Sequence, residues 1–249
     1  MNLIFDIGFN EGQFSKFCFN EFPSAKIVAL EANRKLVFSC VRPEYGDLLL
    51  FNFLASDKDR QVEKFNIDWH QPGISTASEE WMRRSRFARG NENIIKNDLR
   101  SDIDPSDYSA LAQEHLWGWK TMVPTKTLDS LIEEHGDPDL IKIDVEGYEF
   151  KVISGLTQKS GEICFEWVEE MFEVAENSVR HLSSLGYSEF GTVGHFHDEL
   201  PAMATFNDQG GDDHLRRPEE YYSPEEVLNS LKQTNIPERR INWGMMWAR

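Results

Sequence analysis

The chain has 249 residues, with 26 basic against 43 acidic side chains and a formal charge of −17. That balance excludes nucleic acid or an anionic membrane as the main partner, because a phosphate polymer is repelled over most of such a surface. The length suits one sizeable α/β core with added segments, so a single domain over 1–249 is expected.

Leu3 to Ile7 is a short apolar run that reads as a buried strand, and Asp6-Ile7-Gly8-Phe9-Asn10-Glu11-Gly12 ends it. An amphipathic helix follows from Gln13 to Phe22, with Phe14, Phe17, Cys18 and Phe22 at helical spacing and Pro23 as its stop. The chain enters the first strand almost at Met1, so no charged and apolar leader is expected. No apolar run approaches the ~20 residues of a bilayer span, so a soluble cytoplasmic protein is expected. Gly8 and Gly12 let the turn approach a ligand closely, and the helix N-terminus behind them attracts an anionic group. A dinucleotide fingerprint, G-x-G-x-x-G, would place a glycine where Asn10 stands. Asp6 would repel a pyrophosphate but attract an ammonium.

Lys26 to Leu30 is the second strand, and it ends in Glu31, about 20 residues beyond the turn, where a carboxylate can accept both hydroxyls of a ribose. Taken singly, Asp6 reads as a turn cap and Glu31 as a solvated strand end. Taken together after two strands, they ask for an amino acid joined to a nucleoside, which is S-adenosyl-L-methionine. The cofactor-binding residues expected are Asp6, Gly8, Asn10, Gly12, Glu31 and its neighbour Ala32.

Arg34 to Val41 is a candidate second helix, and Leu48 to Ala55 reads as a third strand, apolar on both faces as a sheet between helix layers requires. Ser56, at its end, joins the cofactor set. Gln61 to Ile67 alternates polar and apolar residues, which predicts an extra edge strand or hairpin. Periodicity is lost over 68–120, apart from a possible helix near Glu79 to Arg89 and an aromatic cluster at Trp117 and Trp119. An insertion of this length after strand three is expected to be a lid or a substrate-binding region. It contains His70, a candidate general base. Its basic cluster, Arg83, Arg84, Arg86 and Arg89, would either hold an anionic sugar or balance local acids, and the second reading is preferred.

Leu128 to His135 is a helix with Thr127 as N-cap and Gly136 as stop. Leu140 to Ile143 is the fourth strand and runs into Asp144-Val145-Glu146-Gly147 and a helix from Tyr148 to about Leu156. Ile163 to Phe165 is the fifth strand, ending at Glu166, and a helix from Val168 to Leu185 leads to a sixth near Ser188 to Val193. The tail loop, 194–220, carries His195, His197, Asp198, Asp212, Asp213 and His214; a solvated loop is preferred over a metal site there, and no metal is assigned. A short helix after Pro224 and a last strand around Ile241 to Trp247 close the chain. Cys18, Cys40 and Cys164 lack metal-ligand spacing and sit among apolar neighbours, as reduced core residues do.

Phe5 to Gly12 and Leu30 to Asn33 resemble the FkbM-type S-adenosylmethionine-dependent methyltransferases. More distinctive are Thr127-Leu128-Asp129-Ser130-Leu131 and Leu140-Ile141-Lys142-Ile143-Asp144-Val145-Glu146-Gly147-Tyr148-Glu149, so that the similarity runs with gaps from Leu3 to Trp167. The resemblance implies a Rossmann-like class I methyltransferase fold, a seven-stranded mostly parallel sheet with the last strand antiparallel. It also implies methyl transfer to a hydroxyl of a sugar or other small hydroxylated molecule. Two features depart from the pattern: bulky Phe9 in the glycine turn, and the lack of helices before the first strand. The second leaves one pocket wall to the insertion, the tail or a second subunit, so a homodimer is allowed for.

Methyl transfer needs the acceptor oxygen held in line with the methyl–sulfur bond, and a hydroxyl needs a group to take its proton. Open α/β sheets place ligands at the strand ends, which makes Asp144, Glu146 and Glu166, with His70, the catalytic candidates. Asp144 is equally suited to receive the methionyl ammonium or a metal, and Glu146 lies where a helix N-terminus favours a carboxylate. Two rival functions share the fold: an NAD(P)-binding oxidoreductase, disfavoured by Asn10 and Asp6, and a non-catalytic nucleoside- or glycan-binding module.

Overall fold

Short apolar runs alternating with amphipathic segments become β1 (Leu3–Ile7), α1 (Gln13–Glu21), β2 (Lys26–Leu30), α2 (Arg34–Ser39) and β3 (Asp47–Phe51). The computed structural model describes residues 1–40, 46–69, 71–85, 87–88, 117–195, 204–205, 216–232 and 243–249. After β3 come β4 (Leu54–Ala55), β5 (Val62–Ile67), α3 (Trp81–Arg84), β6 (Trp119–Lys126) and α4 (Leu128–His135). The second half contains β7 (Leu140–Ile143), α5 (Glu149–Ile153), β8 (Glu162–Val168), α6 (Phe172–Ser184), β9 (Phe190–His195), β10 (Ala204–Thr205), α7 (Pro224–Lys232) and β11 (Trp243–Ala248).

The main sheet has the order β10-β9-β11-β8-β7-β1-β2-β3. Seven of its strands form the Rossmann-like sheet, and the two-residue β10 extends one edge. β11, the last strand, runs antiparallel to both β8 and β9, whereas β1, β2, β3, β7 and β8 pair in parallel. Alternate residues of one strand supply opposite faces, as the two-residue period demands. Phe5, Ile7, Ile141, Ile143 and Phe165 pack with Leu128, Leu131, Val152 and Val179 from α4, α5 and α6. Ile4, Ile27, Ala29 and Leu140 pack on the other side with Phe14 and Cys18 of α1. β1 lies between β2 and β7, so the connections leaving β1 and β7 part at that point and open a crevice at the strand ends.

Several expected boundaries move. The third strand stops at Phe51, and Leu54–Ala55 leave the sheet to pair with Thr125 and Lys126. Asn52 marks the break: its amide donates to the carbonyls of Glu31 and Ala32, at 2.9 and 3.0 Å, in place of a continuing ladder. β5 is the expected extra strand, but its partner β6 was hidden, because Trp119, Lys120, Met122 and Pro124 are exposed and Pro124 masks the strand pattern. β4, β6 and β5 form a separate three-stranded sheet. β8 runs on to Val168, which pairs with Trp243, so α6 begins at Phe172 and not at Val168. The helix expected near Glu79 to Arg89 is the short α3. Cys18 and Cys164 are buried free thiols, and Cys40 is a half-buried one. Among the described residues, no helix is long and apolar enough to cross a membrane. His70, Arg86, Arg89, His197, Asp198, Asp212, Asp213 and His214 lie outside the described residues.

Candidate active site

An open cleft lies over the ends of β1, β2 and β7. Gly8, Asn10, Glu31, Asp144 and Glu146 form its polar floor. Ala32, Phe53, Leu54 and Phe65 form an apolar side, and Pro72, Gly73, Ser75 and Ala77 close it with residues of the insertion.

The floor begins with the turn after β1. Gly8 has φ of 83°, and a Cβ there would lie 1.9 Å from the carbonyl oxygen of Asp144, so glycine is required by the turn after β7. Its amide and that of Phe9 both donate to the Leu30 carbonyl at 3.1 Å. Phe9 turns away from the cleft and is buried against the Phe14 and Cys18 side of the sheet, which is how the turn accommodates a bulky residue. Asn10 and Gly12 also have positive φ, 50° and 82°, and Gly12 becomes the N-cap of α1.

Glu31 occupies the β2 side of the floor. Its carboxylate accepts the amide N–H groups of Asn10, at 2.7 Å, and Asn33, at 2.6 Å. Burial raises its carboxyl above the ordinary value, against the lowering effect of those two bonds. The side-chain oxygen of Asn10 is also buried and has no hydrogen-bond partner among the described residues.

Asp6 does not reach the cleft. It is fully buried, accepts the Ser15 hydroxyl at 2.6 Å and lies 3.4 Å from the ammonium of Lys142. The ammonium expected from a ligand is supplied here by the protein, because Asp6 and Lys142 are register partners on adjacent strands. Ser56 is likewise buried away from the cleft lining and donates to Glu63 at 2.8 Å. Of the expected cofactor residues, Gly8, Asn10, Glu31, Ala32 and Asp144 line the cleft, whereas Asp6, Gly12 and Ser56 do not.

On the β7 side, the Asp144 amide donates to the Ile7 carbonyl at 3.0 Å, and its side chain keeps 25 % of its surface exposed. Glu146 and Gly147 follow with φ of 55° and 79°. This left-handed pair costs energy for a residue with a side chain and persists only where the surroundings fix it. Glu149 does so from below, accepting the amides of Val145 and Gly147 at 3.1 and 3.2 Å. Burial pushes the Glu149 carboxyl up to about 7, and the charge of Asp144 adds to the shift. From the insertion, the Thr76 hydroxyl donates to the Glu146 carbonyl at 2.7 Å. Gly147 leaves space for Trp81, whose Cβ would lie 2.9 Å from an added Cβ.

Asp144, Glu146 and Glu166 can each bring one carboxylate oxygen within 4.8 Å of the others, a spacing at which a divalent cation can be held. These three catalytic candidates are therefore neighbours; His70 lies outside the described residues. Arg84 of the basic cluster pairs with Glu80 at 2.8 Å and with Glu173, balancing local acids.

Sequence reasoning passed over Lys142, Asp68 and Thr76. Among the described residues Lys142 is the only Lys or Arg that is buried. Burial pulls its ammonium down, but Asp144 and Asp6 outweigh that and hold it above the ordinary lysine value. A lysine inside Leu140-Ile141-Lys142-Ile143, an otherwise apolar strand, was the signal available. Asp68 fixes the start of the wall by accepting the amides of Gln71, at 2.8 Å, and Trp117, at 3.1 Å. Nothing local in the sequence ties Asp68 to a residue so far along the chain.

The donor set fits the expected cofactor. A carboxylate at each end of the floor, an apolar side wall and an orphaned Asn10 oxygen match an amino acid, an adenine and a ribose. A family model described as "Methyltransferase FkbM domain" matches residues 6–189. Among solved structures, a precorrin-6y C5,15-methyltransferase from Geobacter metallireducens GS-15 is similar at 11% identity and a TM-score of 0.43, over 100% of this chain and 79% of that one. No curated protein matches the chain.

Proposed function

The chain belongs to the FkbM methyltransferase family, and from that premise we propose that it moves a methyl group from S-adenosyl-L-methionine to a hydroxyl of a sugar or other small hydroxylated molecule. The observation that carries this reading is the placing of two carboxylates, Glu31 and Asp144, on one cleft at either side of a glycine turn. Glu31 spends one lone pair of each oxygen on a backbone amide, and its remaining lone pairs can accept the two ribose hydroxyls. Ala32, Phe53, Leu54 and Phe65 offer apolar contact to the adenine. Asp144 takes over the part first given to Asp6 and receives the methionyl ammonium.

When bound, the cofactor supplies a methyl group on a sulfonium, ready for displacement. The chain's own contribution is to align the acceptor oxygen with that methyl and to remove the hydroxyl proton. Alignment alone can account for much of the acceleration. Glu146 lines the cleft beside Asp144, and Glu166 stands within reach of both. Glu146 would take the hydroxyl proton on a carboxylate oxygen, with Glu166 shaping the local field, while the acceptor oxygen would take the methyl group and leave the bound cofactor as the thioether S-adenosylhomocysteine. The two rival functions differ in what the cleft takes up. A dinucleotide would bring a pyrophosphate to a floor lined with carboxylates, which repel it.

Calorimetric titration with S-adenosylmethionine, S-adenosylhomocysteine and NAD tests the cofactor, and transfer of labelled methyl into a panel of sugars and other alcohols tests the acceptor. The expected result is binding of the first two ligands and label recovered as a methyl ether that survives alkali. Binding of NAD alone would overturn the reading, and label recovered only as an alkali-labile ester would overturn the hydroxyl acceptor.

A further inference from the structure

Lys142 takes no part in the chemistry above, yet it is buried beneath the cleft floor. Its ammonium donates to the Gly8 carbonyl at 2.8 Å and lies 3.4 Å from Asp6 and 3.5 Å from Asp144. The carbonyl takes a hydrogen bond and the two carboxylates stand at ion-pair distance, three partners in all. Two belong to the β1 side of the floor and one to the β7 side. We propose that Lys142 is a positioning residue that ties the Asp144 carboxylate to the Gly8 turn and so fixes the two halves of the methyl-donor site at a set spacing.

Charge supports this assignment. One buried ammonium facing two carboxylates leaves the group one negative charge in excess, which the ammonium of an amino-acid ligand neutralises. Without Lys142, Asp6 and Asp144 would repel each other across the space it fills. Asp6 is enclosed and held by Ser15, whereas Asp144 keeps a quarter of its side chain exposed, so Asp144 is the group that would turn towards water. The lost geometry therefore falls on the residue that meets the ligand.

The inference rests on the reading of Asp144 as the ammonium acceptor, and a double-mutant cycle separates the two claims. S-adenosylhomocysteine, which keeps the amino-acid group, is titrated into the wild type, Lys142→Met, Asp144→Asn and the double variant. Lys142→Met is expected to weaken binding about tenfold, and the double variant to bind within about threefold of Asp144→Asn, because the lysine acts through that carboxylate. Effects that multiply, or wild-type binding by Lys142→Met, would overturn the positioning role. No binding by the wild type would remove the methyl-donor site itself, and this proposal with it. If Lys142→Met does not fold, the cycle is run in an Asp6→Asn background, where the second buried carboxylate no longer needs a counter-charge. The same outcomes decide it there.

Discussion

The cleft floor, built from the turns after β1 and β7, is held by buried charges and left-handed backbone, whereas its outer wall, built from β4 to β6 and residues 71–78, is held mainly by apolar packing and hydrogen bonds from neutral groups, with the Asp68 carboxylate fixing its start. In the floor, Gly8 lies against the Asp144 carbonyl, Glu31 binds two amides, and Lys142 joins both turns. In the wall, Phe65, Leu54, Val123 and Ala32 pack together, Asn66 pairs with Thr76, and the Trp117 indole donates to the Ile74 carbonyl at 2.7 Å. A floor of this kind has few acceptable substitutes, since each group is fixed by partners that cannot move independently. A wall of packed side chains yields more gradually. The part proposed to grip the methyl donor is thus rigid by construction, and the part that would enclose it is adjustable.

The sharpest way to break that contrast is Gly8→Ala. The added methyl would meet a backbone oxygen at 1.9 Å in a left-handed conformation, so a loss of about 3–5 kcal/mol in urea unfolding is expected. A loss below about 1 kcal/mol would show that the two turns can part easily, and that the floor is no stiffer than the wall.

Glu31→Gln should have the next largest effect. A glutamine carbonyl can accept one of the two amides, but its NH₂ would then face the other amide's N–H. About 1–3 kcal/mol of stability should be lost, together with affinity for S-adenosylhomocysteine measured by calorimetry. Unchanged affinity would remove Glu31 from the ribose.

The third test uses pH. The Glu149 carboxyl rises from its ordinary 4.5 to about 7 on folding, so the folded chain binds the extra proton between those values. Its contribution to stability is fully present below about 4.5 and is lost as pH rises through about 7. Glu149→Gln keeps an oxygen able to accept the Val145 and Gly147 amides and removes the titration. Denaturation midpoints of the wild type should fall relative to the variant over that window; parallel curves would place the Glu149 charge elsewhere.

The mildest change, Thr76→Val, cuts the hydrogen bond from wall to floor at the Glu146 carbonyl and removes the acceptor of the Ser78 amide within the wall. About 1 kcal/mol of stability and a modest fall in turnover are expected, with S-adenosylhomocysteine affinity nearly unchanged. An equal loss of cofactor affinity would mean that the wall, too, sets the methyl-donor site.

Much of the floor could be read from local pattern. The Gly8 turn, Glu31 after β2 and the Asp144–Gly147 turn stand next to strands whose apolar runs mark them. The wall could not be read so, because β6 pairs with β5 across more than fifty residues and shows an exposed, proline-containing face. Asp6 shows the limit within the floor itself. A carboxylate at a strand end looks the same in sequence whether it faces a ligand or a neighbouring strand, and only the pairing with Lys142 distinguishes them.

Strand and helix periods, together with the glycine and carboxylate spacing, determined by themselves a mostly parallel sheet and the end of it that carries the cleft. Those are properties of contiguous residues, fixed by backbone sterics and by which side chains avoid water. Which carboxylate meets the cleft, which is neutralised inside, and which segment closes the wall were decided only when distant strands came into register. Electrostatic pairing depends on separation in space, and the chain's order does not encode that separation locally.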